Sequence, residues 1–195
     1  MLPKKWMTVM VISASLFSSG LTIGKEQYVS ASIDTTVISP GELITLTVMY
    51  TSTNNELSTG LGLNLHYDST KLFQAMPENI LEIDNLGYQF SQDTEDLDGS
   101  SSTDKLFKVN WAALNGNWPA GYDLPVTLFT ITFKATDSFS DTALNFSASS
   151  SAAGFDFNGE SVALTLNQSF VAEDTLSGLK LTLIKAFLDK QRAVQ

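Results

Sequence analysis

The side chains that could do chemistry are concentrated in one stretch, DTEDLDGSSSTD. It places Asp93, Glu95, Asp96, Asp98 and Asp104 within twelve residues. Several hard carboxylate oxygens on a flexible span are what calcium coordination requires. The spacing is not that of an EF-hand, because with Gly99 at the glycine position the first ligand would be Thr94 and the last Lys105. The stretch therefore reads either as a calcium loop of another design or as a solvated acidic loop. Trp118 and Tyr122 form a second candidate, in the turn-rich segment NGNWPAGY. Aromatic faces on a rigid loop stack on sugar rings or anchor protein partners. The alternative is that Trp118 caps the open end of a β-sandwich.

Other chemistries find little support. His66 is the single histidine of the chain. Alternation puts it on the outward face of its strand, as an exposed residue outside any histidine-rich metal site or Ser-His-Asp triad. Paired carboxylates could run a glycosidase, but the acids here sit in loops and turns, and none interrupts an apolar strand. There is no phosphate-cradling glycine loop and no GxSxG elbow. The expectation is a protein that is not an enzyme. Absence of cysteine removes disulfides, thiolate metal sites and cysteine nucleophiles together. The formal net charge of −10 disfavours nucleic acid as a partner. Between Ser32 and Asp174 there are 19 acids against 4 lysines, while both ends of the chain are basic.

The elements that must position these residues are strands. Phe107, Val109, Trp111 and Ala113 alternate with Lys108, Asn110 and Ala112; Phe129, Ile131 and Phe133 alternate with Thr130 and Thr132. Period two is the mark of a strand with one face in a core. The same pattern recurs in Ile44–Tyr50, Leu61–Tyr67, Leu144–Ala148 and Val162–Leu166, with shorter β-prone runs at Ile33–Ile38, Leu72–Met76 and Tyr88–Ser91. Ser39-Pro40-Gly41-Glu42 predicts a type II turn. About nine short strands without a convincing helix read as an all-β chain, a two-sheet sandwich or a closed barrel.

The ends differ from this middle. Residues 1–31 read as a secretory signal peptide. Lys4 and Lys5 precede an apolar run from Met7 to Ile23, and Val29-Ser30-Ala31 fits a small-x-small cleavage pattern; a cut near Ser19 or Gly20 is the second option. The sandwich is expected over 32–168 and a tail over 169–195. In the tail, Leu176, Leu179, Leu183, Ile184, Phe187 and Leu188 stand near helical spacing among lysines, as a short amphipathic helix. It would dock on the domain, lie on an anionic membrane or stay poorly ordered. A signal peptide makes the protein secreted or held at the cell surface.

Three segments together suggest a family. Val37-Ile38-Ser39-Pro40-Gly41-Glu42, then Leu65-His66-Tyr67-Asp68-Ser69-Thr70-Lys71-Leu72, then Leu128-Phe129-Thr130-Ile131-Thr132-Phe133-Lys134 resemble the cohesin domain in order and rough spacing. The resemblance covers about Ser32 to Asn167. It implies a nine-stranded jelly-roll β-sandwich, related in fold to carbohydrate-binding modules, that is non-catalytic and receives a calcium-loaded dockerin on one sheet face. The expected function is a binding module for a dockerin-like or other surface protein, with a carbohydrate-binding module or a structural domain of a larger surface protein as alternatives. Asn64, His66, Asn110, Thr130 and Thr132 are one candidate partner face. The acidic surface favours a basic partner or one that carries calcium.

Overall fold

The computed structural model describes residues 24–83 and 86–169. The tail expected over 169–195, from residue 170 onward, and the n- and h-regions of the expected signal peptide lie outside the described residues.

Eleven strands follow one another in the described chain: β1 (Lys25–Ile33), β2 (Val37–Ile38), β3 (Leu43–Ser52), β4 (Gly60–Tyr67), β5 (Leu72–Glu78), β6 (Gly87–Gln92), β7 (Lys105–Ala112), β8 (Val126–Ala135), β9 (Thr142–Ser150), β10 (Phe155–Gly159) and β11 (Val162–Leu166). They form two sheets, ordered β10-β1-β3-β8-β5 and β2-β11-β9-β4-β7-β6. All neighbours are antiparallel except β1 with β10 and β2 with β11. The result is the expected β-sandwich, with eleven strands where nine were expected.

The core is what the alternation predicted. Ile44, Leu46, Val48 and Tyr50 of β3 and Phe129, Ile131 and Phe133 of β8 face Leu61, Leu63, Leu65 and Tyr67 of β4 and Phe107, Val109 and Trp111 of β7. Burying each such side chain contributes about 1.5–3 kcal/mol, and it fixes register, since a one-residue slip would turn the whole row outward. Gly60 at the start of β4 has φ +130°, and a Cβ there would collide with the Trp111 carbonyl of β7, so only glycine permits this close pairing. The predicted turn forms as drawn: Glu42 N–H donates to the Ser39 carbonyl at 3.1 Å, with Gly41 at φ +82°.

Three expectations change. Ile33 to Ile38 is not one strand: Ile33 ends β1, and Val37–Ile38 crosses to the other sheet as β2. The segment 154–160, expected as loop, contains β10. The largest change is at the front. β1 begins at Lys25 and lies between β10 and β3, with Val29 and Gln27 buried. A domain boundary at Ser32 cuts this strand, whereas cleavage near Ser19 or Gly20 leaves it whole.

Candidate functional site

The outer face of the six-stranded sheet is where the chemistry-bearing residues meet. In β4 the odd positions Leu61, Leu63 and Leu65 point into the core, so Asn64 and His66 point outward. From β9, Asn145 pairs with His66 and Ser147 with Asn64. The acidic stretch 93–104, between β6 and β7, folds back over these residues. Its base is closed by Asp93 N–H on the Asp104 carbonyl at 2.9 Å, and its tip by Gly99 N–H on the Asp96 carbonyl at 2.7 Å.

This cover corrects the reading of His66 and Asn64 as exposed partner-face residues. They are 0% and 1% exposed. His66 Nδ1 meets Asp93 Oδ2 at 2.6 Å, and Nε2 meets Ser147 Oγ at 2.7 Å. Asn64 Nδ2 donates to the same Ser147 oxygen at 3.0 Å. The remaining face residues are split. Asn110 lies on this sheet and accepts from Ser149 Oγ at 3.1 Å. Thr130 and Thr132 are on β8, on the outer face of the opposite sheet. The five residues do not form one surface.

Ser147, His66 and Asp93 do make a Ser-His-Asp line, which the single histidine did not prevent. Its surroundings are those of a structural lock. His66 is sealed, so its ring cannot reach a leaving group. The Ser147 oxygen already accepts the Asn64 amide, leaving that donor turned away from any developing oxyanion. A buried carboxylate needs hydrogen-bond partners, and here the loop acquires them from the sheet.

The five acids of the loop are dispersed in the same way. Asp93 also accepts Leu97 N–H at 3.2 Å. Asp98 accepts Ser100 N–H at 3.1 Å, Thr103 Oγ1–H at 2.8 Å and Asn145 Nδ2–H at 2.8 Å. Asp104 turns to Ser69, accepting its N–H and its hydroxyl, each at 2.7 Å. Glu95 and Asp96 are exposed. Among the described residues, His66, Asp93 and Asp98 bring one ligand atom each within 4.8 Å of one another. Glu95, Asp96 and Asp104 lie outside that group. The bonded carboxylates are met by N–H and O–H donors, as a loop held by its own hydrogen bonds requires. The expected result is an equal melting temperature in millimolar calcium and in chelator. A rise with calcium would assign the loop to the ion instead.

Acid is expected to act where calcium does not. Burial pushes the Asp98 carboxyl up, but hydrogen bonds from Asn145, Thr103 and Ser100 outweigh it and hold its pKa below the ordinary 3.8. Asp104 is lowered likewise, burial being outweighed by Ser69. A carboxylate depressed in the folded state adds stability above its unfolded pKa, and that stability is lost as pH falls through the lower folded value. Stability should therefore decline below about pH 4. Asp98→Asn should flatten part of this decline, measured as urea unfolding across pH 2–5.

Trp118 is placed by backbone pairing with Ser58, N–H to carbonyl in both directions at 2.8 and 2.9 Å. Its ring is 0% exposed, 4.6 Å from Tyr50 and 5.8 Å from Trp111 between centroids. No face of the ring is open for a sugar to stack on, and it packs in the core cluster instead. Tyr122 stays exposed in the same loop, 45%.

Sequence reasoning missed a row on the five-stranded sheet. Leu43 of β3 and Phe73 of β5 both pair with Lys134 of β8, on the outer face. Leu43 and Phe73 are 62% and 68% exposed, and Met76 beyond them 65%. Leu43 and Phe73 occupy polar positions in the alternation, and that misplacement was the available signal.

No family model matches the sequence, and no curated protein matches it. Solved structures do match, and those that follow are cohesin domains. A type II cohesin domain from the cellulosome of Acetivibrio cellulolyticus is 18% identical, over 74% of this chain and 97% of its own, at a TM-score of 0.48. A type II cohesin from Bacteroides cellulosolvens is 16% identical over 71% and 99%, at 0.47. A type I cohesin–dockerin complex from Clostridium thermocellum gives 11% over 71% and 99%, at 0.48.

Proposed function

We propose that this chain is an exported, non-catalytic module that binds a protein partner through the outer face of its five-stranded sheet. The observation that carries the reading is the row Leu43–Lys134–Phe73. Large apolar side chains aligned in register on a rigid, solvent-facing sheet mark an interaction surface rather than a core. Thr130 and Thr132 continue the face, Thr132 Oγ1 lying 3.3 Å from Thr45 Oγ1. The partner presents an apolar patch to Leu43 and Phe73 and an acceptor to Lys134. A dockerin-like or other surface protein is the class that the cohesin resemblance suggests. The basic, apolar start of the sequence supports export, with the mature chain beginning near residue 20.

The test is a double substitution, Leu43→Ala with Phe73→Ala. Both side chains are mostly exposed, so each change should alter stability by less than about 0.5 kcal/mol. Partner binding should weaken at least about tenfold, the effect of losing anchor residues. Unchanged binding would reject this face.

A further inference from the structure

We propose that the chain's own C-terminal segment, residues 175–195, lies over the Leu43–Phe73 row and competes there with the partner. The inference rests on the reading of that row as the partner surface, and it names what occupies the row when no partner is bound.

The end of the described chain stands beside the row. β11 finishes at Leu166, and Asn167 is tied to the turn that precedes β3. Its N–H donates to the Ile38 carbonyl at 2.8 Å, and its Nδ2 donates to Ser39 Oγ at 3.3 Å. That turn runs straight into Leu43. It is held to the end of β8 by Gly41 N–H on the Ala135 carbonyl and by Ala135 N–H on the Glu42 carbonyl, at 2.9 and 2.8 Å. Lys134, the next residue back, pairs with both Leu43 and Phe73. The chain therefore leaves the sandwich at the end where the row is exposed. A helical turn begins there at Gln168 and Ser169, capped by Asn167 Oδ1, which accepts Ser169 N–H at 3.1 Å.

The sequence that follows fits the row in length, pattern and charge. Residues 175–195 span about 32 Å as a helix, while Leu43 and Phe73 stand two strand spacings apart, about 10 Å. Leu176, Leu179, Leu183 and Phe187 follow at intervals of three and four, which makes one apolar stripe, with Lys185 and Arg192 on the other side. The segment carries Lys180, Lys185, Lys190 and Arg192 against Asp189. The rim it meets is acidic. Glu42 adjoins Leu43, Asp34 accepts the N–H of nearby Thr45 at 3.3 Å, and Asp141 accepts Leu166 N–H at 2.8 Å where the chain leaves. Lys134 can lay its stem along the apolar surface and keep its amine in water. A second copy would bring the same acidic rim against this one and be repelled. The contact competes mildly with the partner: a row covered about two thirds of the time lowers partner affinity about threefold.

The test uses the full mature chain, which has no cysteine of its own. Lys185→Cys, carrying a nitroxide, reports by paramagnetic broadening of amide signals. The expected result is broadening at Leu43, Thr45, Phe73 and Lys134, none at Gln89 on the other sheet, and loss of the effect when Leu183→Asp and Phe187→Asp are added. Broadening that is absent, equal on both sheets, or indifferent to the aspartates would overturn the contact. So would broadening that arises only when nitroxide-bearing and isotope-labelled copies are mixed, since the occupant would then be a second copy. In capture experiments the aspartate variant should hold the partner about threefold more tightly, and equal affinity would overturn the competition. The broadening needs no partner, so the tail contact and the partner reading can fail separately.

Discussion

A chain that begins at Ser32 is expected not to fold, whereas one that begins at residue 20 is expected to fold. Removing residues up to Ala31 deletes seven of the nine residues of β1. That strand is interior to its sheet, between β10 and β3, so both neighbours lose their ladders. It also carries Gln27, which is fully buried and ties four segments together. Its Nε2 donates to the Gly60 carbonyl at 2.9 Å, to Tyr50 OH at 3.1 Å and to Ser58 Oγ at 3.3 Å. Its Oε1 accepts Ala152 N–H at 2.9 Å. Removing this residue takes a partner from the Ala152 N–H and from Tyr50 OH, each at about 1–3 kcal/mol, and leaves Ser58 Oγ and the Gly60 carbonyl with each other. With the lost burial of Val29 and of both ladders, the deficit is of the same order as the roughly 5–15 kcal/mol that a domain of this kind holds in total. Circular dichroism and urea unfolding of the two chains decide the matter. A cooperative transition in the Ser32 chain would show that β1 is dispensable.

Trp118→Ala should cost roughly 3–5 kcal/mol, the usual price of emptying a large buried aromatic site. The ring fills the space between Tyr50 and Trp111, and its strand-like bridge to Ser58 holds the long β7–β8 connection against the domain. The indole Nε1–H is buried without a partner, so Trp118→Phe should recover much of the loss by keeping ring contact and removing an unmet donor. Tyr122→Ala, at an exposed position in the same loop, should change stability by less than about 0.5 kcal/mol. Equal effects of Trp118→Ala and Tyr122→Ala on the melting temperature would contradict the placement of Trp118 in the core.

The strands were legible because period-two alternation is a local signal that burial enforces. Phe107, Val109 and Trp111, or Ile44, Leu46 and Val48, could be assigned to the core from their own neighbours. Alternation tells inward from outward, but not which sheet a strand joins. Thr130 and His66 therefore read as one face, although they stand on opposite sheets. Nor does it tell outward from exposed. His66 was placed on the correct side of β4, and what buries it is Asp93, 27 residues away, brought back by the fold of the acidic loop. At β1, two readings competed for the same residues. Tyr28-Val29-Ser30-Ala31 is β-prone, yet small residues at 29 and 31 also satisfy a cleavage pattern, and nothing local ranks a strand above a processing site. For β10, Gly154 and Gly159 punctuate a five-residue strand and hide the alternation of Phe155 and Phe157.

The most direct measurement of the proposed function is partner capture by the chain beginning near residue 20, using secreted and envelope fractions of the source organism. The wild-type chain is compared with the Leu43→Ala, Phe73→Ala double variant and with Gln89→Ala as a control on the other sheet. The account predicts a protein retained by wild type and by Gln89→Ala, and lost at least about tenfold by the double variant at unchanged melting temperature. Retention by all three chains, or loss with Gln89→Ala alone, would contradict it and move the partner face away from the five-stranded sheet.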